Sequence, residues 1–207
     1  MIIFTHTEKT GGETIHSVLQ HWHGTHYRII PTIRHIDHHF SSGDLSQVLK
    51  GYKNLPAIGG HCPRPDGNIE AVVRGARYIT FFREPVERCI SEYQHQVDRW
   101  GISDSFADWM TNERNRNCQT RKRAGTEDLD AAVDLLEDRF AFVGLAKRVY
   151  ESMSMLTTVT GNKIYELAVE NKNVPENNEI KHRIMSDPRA MDFALKFNEL
   201  DIRCIST

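Results

Sequence analysis

Lys9, Gly11 and Gly12 stand in a short loop, Thr7-Glu8-Lys9-Thr10-Gly11-Gly12, after the apolar run Ile2-Ile3-Phe4-Thr5. Ile15, Val18 and Leu19 then begin a helical apolar spacing. Strand, glycine loop and helix in that order make an anion site. Glycines let the backbone approach an anion closely. N–H groups at a helix start point at the anion, and the helix dipole favours negative charge there. Lys9 adds a full positive charge beside the bound group. The loop is not a Walker A sequence, in which lysine directly follows the second glycine; here the lysine comes first. Taken alone, the same residues also describe an ordinary strand-to-helix turn.

A second group raises the case for chemistry. Residues 76–82, Ala-Arg-Tyr-Ile-Thr-Phe-Phe, read as a buried strand and run straight into Arg83-Glu84-Pro85. Proline suits a first helical turn, where its missing N–H is not needed. Val86, Ile90, Tyr93 and Val97 then share one helix face. Arg83 falls at the strand's C-terminal end, and Ser91 about two turns along the helix. Ligands of open parallel sheets bind beyond those strand ends, so Arg83 can face the same crevice as the Lys9 loop. A surface arginine and a solvent-facing serine would produce the same pattern. His61 closes a third strand-like run, 56–60, and histidine titrates near neutral pH. It is the candidate general base, with a strand-end structural histidine as the other reading.

These residues resemble the sulfotransferase family that uses 3′-phosphoadenosine 5′-phosphosulfate (PAPS), most closely its carbohydrate 2-O-sulfotransferase branch and bacterial relatives. His6-Thr7-Glu8-Lys9-Thr10-Gly11-Gly12-Glu13-Thr14 is similar to the family's phosphosulfate loop, His-Ile-Pro-Lys-Thr-Gly-Gly-Thr-Ser. Thr80–Arg88 with Ser91-Glu92-Tyr93 is similar to its 3′-phosphate segment. Gly60-His61, Asn117 to Gly125 (around Gln119-Thr120-Arg121), Phe142-Val143-Gly144-Leu145 with Glu151-Ser152, and Asn198-Glu199-Leu200-Asp201 follow in the family's order.

The resemblance implies an α/β, three-layer fold with a central parallel sheet flanked by helices, the P-loop-NTPase-like sulfotransferase fold. It implies transfer of a sulfuryl group from PAPS to an acceptor hydroxyl, on a carbohydrate in the branch it resembles, with no metal required. Lys9 would stabilise the leaving phosphate. Thr10 and the N–H groups of Gly11, Gly12, Glu13 and Thr14 would hold the 5′-phosphosulfate. Arg83 and Ser91 would bind the 3′-phosphate, with Gln119, Thr120 and Arg121 on the nucleotide side. Glu8 stands where the family has proline, which predicts a less rigid loop. Glu13 replaces a threonine, and Lys122-Arg123 replace more apolar residues. The alternatives are a non-catalytic module binding PAPS or its desulfated product PAP, and a P-loop-like kinase.

Five strand-like runs, at 2–6, 27–31, 56–60, 78–82 and 140–144, alternate with helical patterns at 12–22, 44–52, 86–99, 128–138 and 146–160. That alternation predicts a parallel sheet covered on both faces. From about 175 the chain reads as amphipathic helix, with Ile180, Ile184, Met191, Ala194, Leu195 and Asn198 facing in and a loop over 171–178. The 207 residues fit one domain, 1–207. A net charge of -2 gives no sign of a nucleic-acid binder. The four cysteines lack paired spacing, so a reduced compartment is expected. With no leader-like start and no apolar run of about 20 residues, a cytoplasmic protein is expected. Eleven histidines include clusters at His21, His23, His26 and at His35, His38, His39, but no cysteine or carboxylate spacing completes a metal ligand set. Arg114, Arg116, Arg121, Lys122 and Arg123 read either as a solvated helix face or as a basic wall for phosphates. The identity of the acceptor and the oligomeric state are not legible.

Overall fold

The computed structural model describes residues 1–31, 39–125, 127–163 and 178–206. Its strands are β1 (Ile2–Thr5), β2 (Tyr27–Ile30), β3 (Ala57–Gly60), β4 (Arg77–Phe82) and β5 (Phe140–Leu145). They form one all-parallel sheet in the order β2-β3-β1-β4-β5, with β1 paired to both β3 and β4. Successive strand side chains point to opposite faces. Ile2 and Phe4 therefore join Ile15, Leu19, Ile79, Phe81, Met153 and Leu156 on one face, while Ile3 joins Leu45, Ile58, Ile69 and Tyr78 on the other. Both faces need covering, and helices supply the cover. α1 (Gly12–His23) and α7 (Val149–Thr160) lie over the first face; α2 (Ser42–Gly51) and α6 (Leu129–Arg139) cover the second. Burying one such large aliphatic or aromatic side chain contributes about 1.5–3 kcal/mol.

α3 (Pro85–Trp100) carries a separate apolar cluster. Val86, Ile90 and Tyr93 pack with Phe106 and Trp109 of α4 (Phe106–Thr111), Ile184 of α8 (Glu179–Ser186) and Ala194 of α9 (Pro188–Phe197). The inward face of the C-terminal helices follows the expected spacing except at Leu195, which is 48% exposed. Its neighbour Ala194, also expected to face in, is fully buried. The expected loop over 171–178 lies outside the described residues except for Asn178. The sequence pattern missed α4 and α5 (Cys118–Ala124) as elements, because six and seven residues are too few to display a 3.6-residue period. No helix among the described residues is long and apolar enough to cross a membrane.

The strand order places a switch point in the sheet. After β1 the chain crosses through α1 to β2, on one side of the sheet; after β4 it passes to β5, on the other. The loops leaving β1 and β4 therefore diverge, and the gap between them is the sheet's switch point.

Candidate active site

The loop after β1 is built on left-handed backbone. Lys9 has φ 62° and Gly11, the N-cap of α1, has φ 81°. A non-glycine residue in that region is held there by its surroundings at a cost of order 1 kcal/mol or more. Thr10, fully buried, donates its hydroxyl to the Thr7 carbonyl at 2.9 Å and closes the turn. The two glycines differ in task. Gly11 supplies the left-handed cap, whereas Gly12 admits the His6 ring, which a Cβ at that position would overlap. No side chain among the described residues caps the first turn of α1. Its first-turn N–H groups thus have no side-chain acceptor among the described residues. Glu13 is exposed and Thr14 buried, so the carboxylate in the first turn points to solvent.

Arg83 follows β4 and reaches across to this loop: its Nη1 donates to the Lys9 carbonyl at 3.3 Å. Its Nε lies 3.7 Å from Glu87 Oε2, one turn along α3. Gln119 holds the Arg83 backbone from both ends, accepting from its N–H at 3.0 Å and donating to its carbonyl at 2.9 Å. The N–H groups of Gln119 and Thr120 donate in turn to the two carboxylate oxygens of Asp201, at 3.0 and 2.7 Å. Asp201, on α10 (Glu199–Ser206), therefore caps α5 from outside its own helix. Gln119 and Thr120 are fully buried, and Arg121 donates to the Glu113 carbonyl. Of these three expected nucleotide contacts, Gln119 braces Arg83 directly, Thr120 is tied through its backbone to Asp201, and Arg121 is only partly buried, engaged with the Glu113 carbonyl. Ser91 is on α3 as expected and only 8% exposed.

Arg123 ties the two loops from beneath. Fully buried, it donates to the hydroxyls of Thr7 and Thr80 and to the carbonyls of Gln119 and Phe81, with its guanidinium 4.4 Å from the Phe82 ring centre. Burial pushes its pKa down to about 10, which leaves it charged at neutral pH. The basic run 114–123 is thus no solvated face at Arg123.

His61 leaves β3 beside the loop. Its Nδ1 lies 3.0 Å from the His6 carbonyl and 3.3 Å from Glu8 Oε1. A carbonyl can only accept, so Nδ1 carries the proton and Nε2 keeps its lone pair. Glu8 Oε1 also accepts from Lys122 Nζ at 2.6 Å. The loop that glutamate was expected to loosen is therefore pinned by it. Burial raises the proton affinity of Glu8, but Lys122 and His61 outweigh that and hold its carboxyl well below the usual carboxylate range. For His61, burial lowers the pKa, Glu8 partly offsets the shift, and Lys122 adds to it. The ring is neutral at neutral pH.

Behind His61 lies a buried chain of rings. His6 stacks on His61 with centroids 4.2 Å apart, His6 Nδ1 meets His16 Nε2 at 3.2 Å, and His16 Nδ1 meets the Tyr27 hydroxyl at 2.5 Å. Burial holds His6 well below the usual histidine pKa and pushes His16 down to about 4. These histidines come together from three parts of the chain, which spacing along the sequence did not reveal. Of the expected clusters, His21 and His23 sit on the last turns of α1 with His26 just after, while His35 and His38 lie outside the described residues. Among the described residues no group of three or more ligating side chains has the placement to hold a metal ion.

No family model matches the sequence, and no curated protein is significantly similar to it. Among solved structures, the crystal structure of a sulfotransferase from Alicyclobacillus acidocaldarius matches with a TM-score of 0.51, at 14% identity over 94% of each chain. The two chains share a fold. It is the three-layer α/β architecture with a central parallel sheet that the sequence implied.

The site residues that sequence reasoning missed are Glu8 and Lys122 as a pair, His6, His16 and Tyr27 as a chain, and Arg123 and Asp201 as braces. The departures Glu8 and Lys122-Arg123 were visible only as separate oddities, and His6 and Asp201 lay in recognised motifs that did not announce their partners. In the fold they answer one another: Lys122 meets Glu8, and Arg123 meets Thr7. The arrangement offers an uncapped helix start, cations on two sides of a crevice, and a neutral imidazole at its edge.

Proposed function

We propose that this protein is a sulfotransferase that moves a sulfuryl group from PAPS to an acceptor hydroxyl, on a carbohydrate. The observation that carries this reading is the meeting of Arg83 with the Lys9 loop, at the uncapped start of α1. The likeness in fold to a sulfotransferase supports it.

The residues fit the donor's chemistry. PAPS, when bound, supplies the sulfuryl group and a phosphate leaving group, together with the 3′-phosphate that sets it apart from ATP. The N–H groups of Gly11, Gly12, Glu13 and Thr14 hold the 5′ end by the anion preference of a helix N-terminus. Arg83 and Ser91 hold the 3′-phosphate, for which a guanidinium has the right two-pronged donors. Lys9 neutralises the charge that builds on the leaving oxygen, the chief catalytic task in transfers of this kind. His61 Nε2 takes the acceptor's proton as the acceptor oxygen bonds to sulfur. Its neutral state at neutral pH suits that role. Gln119 acts at one remove by fixing Arg83, and Thr120 by tying the start of α5 to Asp201. The transferred group carries less charge than an ATP γ-phosphate, so Lys9 can meet it without a metal.

The test is incubation with PAPS and a panel of mono- and oligosaccharides, with release of PAP and sulfation of the sugar followed together. The expected result is coupled release and sulfation, lost in Lys9→Ala. PAP binding without transfer to any acceptor would make the protein a binding module. Phosphoryl transfer from ATP-Mg would make it a kinase.

A further inference from the structure

We infer that Glu8 is a positioning residue for His61, and that the Glu8–Lys122 pair sets the proton affinity of that imidazole. The inference rests on the reading of His61 as the base. Three contacts define the arrangement: His61 Nδ1 to Glu8 Oε1 at 3.3 Å, the same Nδ1 to the His6 carbonyl at 3.0 Å, and Glu8 Oε1 to Lys122 Nζ at 2.6 Å. The carbonyl and the carboxylate share one Nδ1 proton. They fix the tautomer and the ring plane, leaving Nε2 as the only basic nitrogen. A carboxylate at Nδ1 also stabilises the imidazolium that forms once the base has taken its proton, as in an aspartate–histidine pair.

Lys122 does two opposed things. It holds Glu8 in place, since a lone carboxylate with 33% exposure on a loop has several rotamers open to it. Its own charge disfavours a second cation on His61. The other titratable groups facing the ring are His6, stacked on it from the loop, His16 on α1 behind His6, and Glu92 on α3. His6 and His16 are neutral at neutral pH, as burial lowers both pKa values. Glu92, an acid on another element, adds to the pull of Glu8. The balance at His61 is thus set chiefly by a carboxylate in contact and the ammonium behind it.

The two substitutions therefore have opposite signs. Glu8→Gln keeps the size, removes the negative charge and leaves Lys122 unopposed. Lys122→Gln removes the cation and leaves Glu8 its His61 contact. A shift of roughly one pH unit downward is expected for His61 in Glu8→Gln, and a smaller shift upward in Lys122→Gln. Because the base must be neutral to act, the acid limb of kcat/KM should move the same way in each variant.

The experiment is NMR titration of the His61 ring proton in the wild-type chain, Glu8→Gln, Lys122→Gln and Glu8→Asp, beside the pH profile of transfer from PAPS. Opposite shifts in the two charge-removing variants, seen in both readouts and largely restored in Glu8→Asp, are expected. An unchanged His61 titration in Glu8→Gln, in a protein whose melting temperature is also unchanged, overturns the inference while leaving the sulfotransferase reading intact. Opposite shifts by NMR with an immobile kinetic limb would instead show that His61 is not the base, and the proposal would fall with that assignment. If Glu8→Gln lowers the melting temperature, the Lys122→Gln and Glu8→Asp titrations decide the sign on their own.

Discussion

Two strand-to-helix turns meet at the switch point, one after β1 and one after β4, and they treat their helix starts in opposite ways. The start of α3 is closed by its own sequence: Glu84 accepts from the N–H groups of Val86 and Glu87 at 3.1 and 2.6 Å, and Pro85 removes a donor altogether. The start of α1 has glycine at the cap and glycine behind it, with no side chain among the described residues to occupy its donors. Every helix must satisfy about four N–H groups at its start. One turn does so internally and contributes a cation, Arg83; the other has no side-chain cap among the described residues. On the proposed reading, an anion held by backbone sits at α1 and one held by side chains sits beside α3.

The largest expected effect comes from the cation of the open turn. Lys9→Ala should lower kcat by roughly 10²–10³-fold, as loss of one transition-state donor does, in steady-state transfer assays, with little change in melting temperature. A defect confined to KM would show that Lys9 only binds.

Next in size is a stability effect behind the open turn. His16 is buried with its pKa pushed down to about 4, so the unfolded chain takes up a proton between pH 6.5 and 4 that the folded chain refuses. Stability is complete above the ordinary histidine value and falls as pH drops through that window, by about 2–3 kcal/mol for His16. The buried His6 adds loss in the same direction. Urea unfolding at pH 7 and pH 4.5 measures it, and His16→Phe should flatten the slope.

The comparison can then be attacked directly by giving the open turn what the closed one has. Asparagine and aspartate both tolerate left-handed backbone. Gly11→Asp should weaken PAP binding by about tenfold or more relative to Gly11→Asn, because only the first puts a carboxylate where an anion must sit. Equal affinities would mean that the anion lies elsewhere. The smallest effect belongs to the closed turn. Glu84→Ala should cost about 1 kcal/mol of stability in thermal or urea unfolding and leave PAP affinity within about twofold.

The sheet was legible because its strands are short apolar runs between turn signals, and each of the five is found within a residue or two of its expected limits. Lys9, Gly11, Arg83 and Pro85 were legible for a similar reason: a strand end followed by a helix start is a local pattern. What escaped was long-range. Lys122 lies 114 residues from Glu8, and Arg123 lies 116 from Thr7. Nothing at either position alone announces its partner. Asp201 shows the same limit. Its motif was recognised, but only the fold reveals that it caps α5 and so steadies Gln119 and, through it, Arg83. Gln119 and Thr120 were read as nucleotide-side residues from their motif; what the motif did not announce is that both are buried, Gln119 bonded to the Arg83 backbone and the Thr120 N–H to Asp201.

The most direct measurement of the central claim is calorimetric titration with PAP, beside ATP-Mg, of the wild-type protein and Arg83→Ala. PAP should bind the wild type in preference to ATP-Mg, and the variant should lose roughly ten- to a hundredfold in affinity, the worth of a charge-assisted hydrogen bond. Absence of PAP binding, or equal binding by the variant, would contradict that claim.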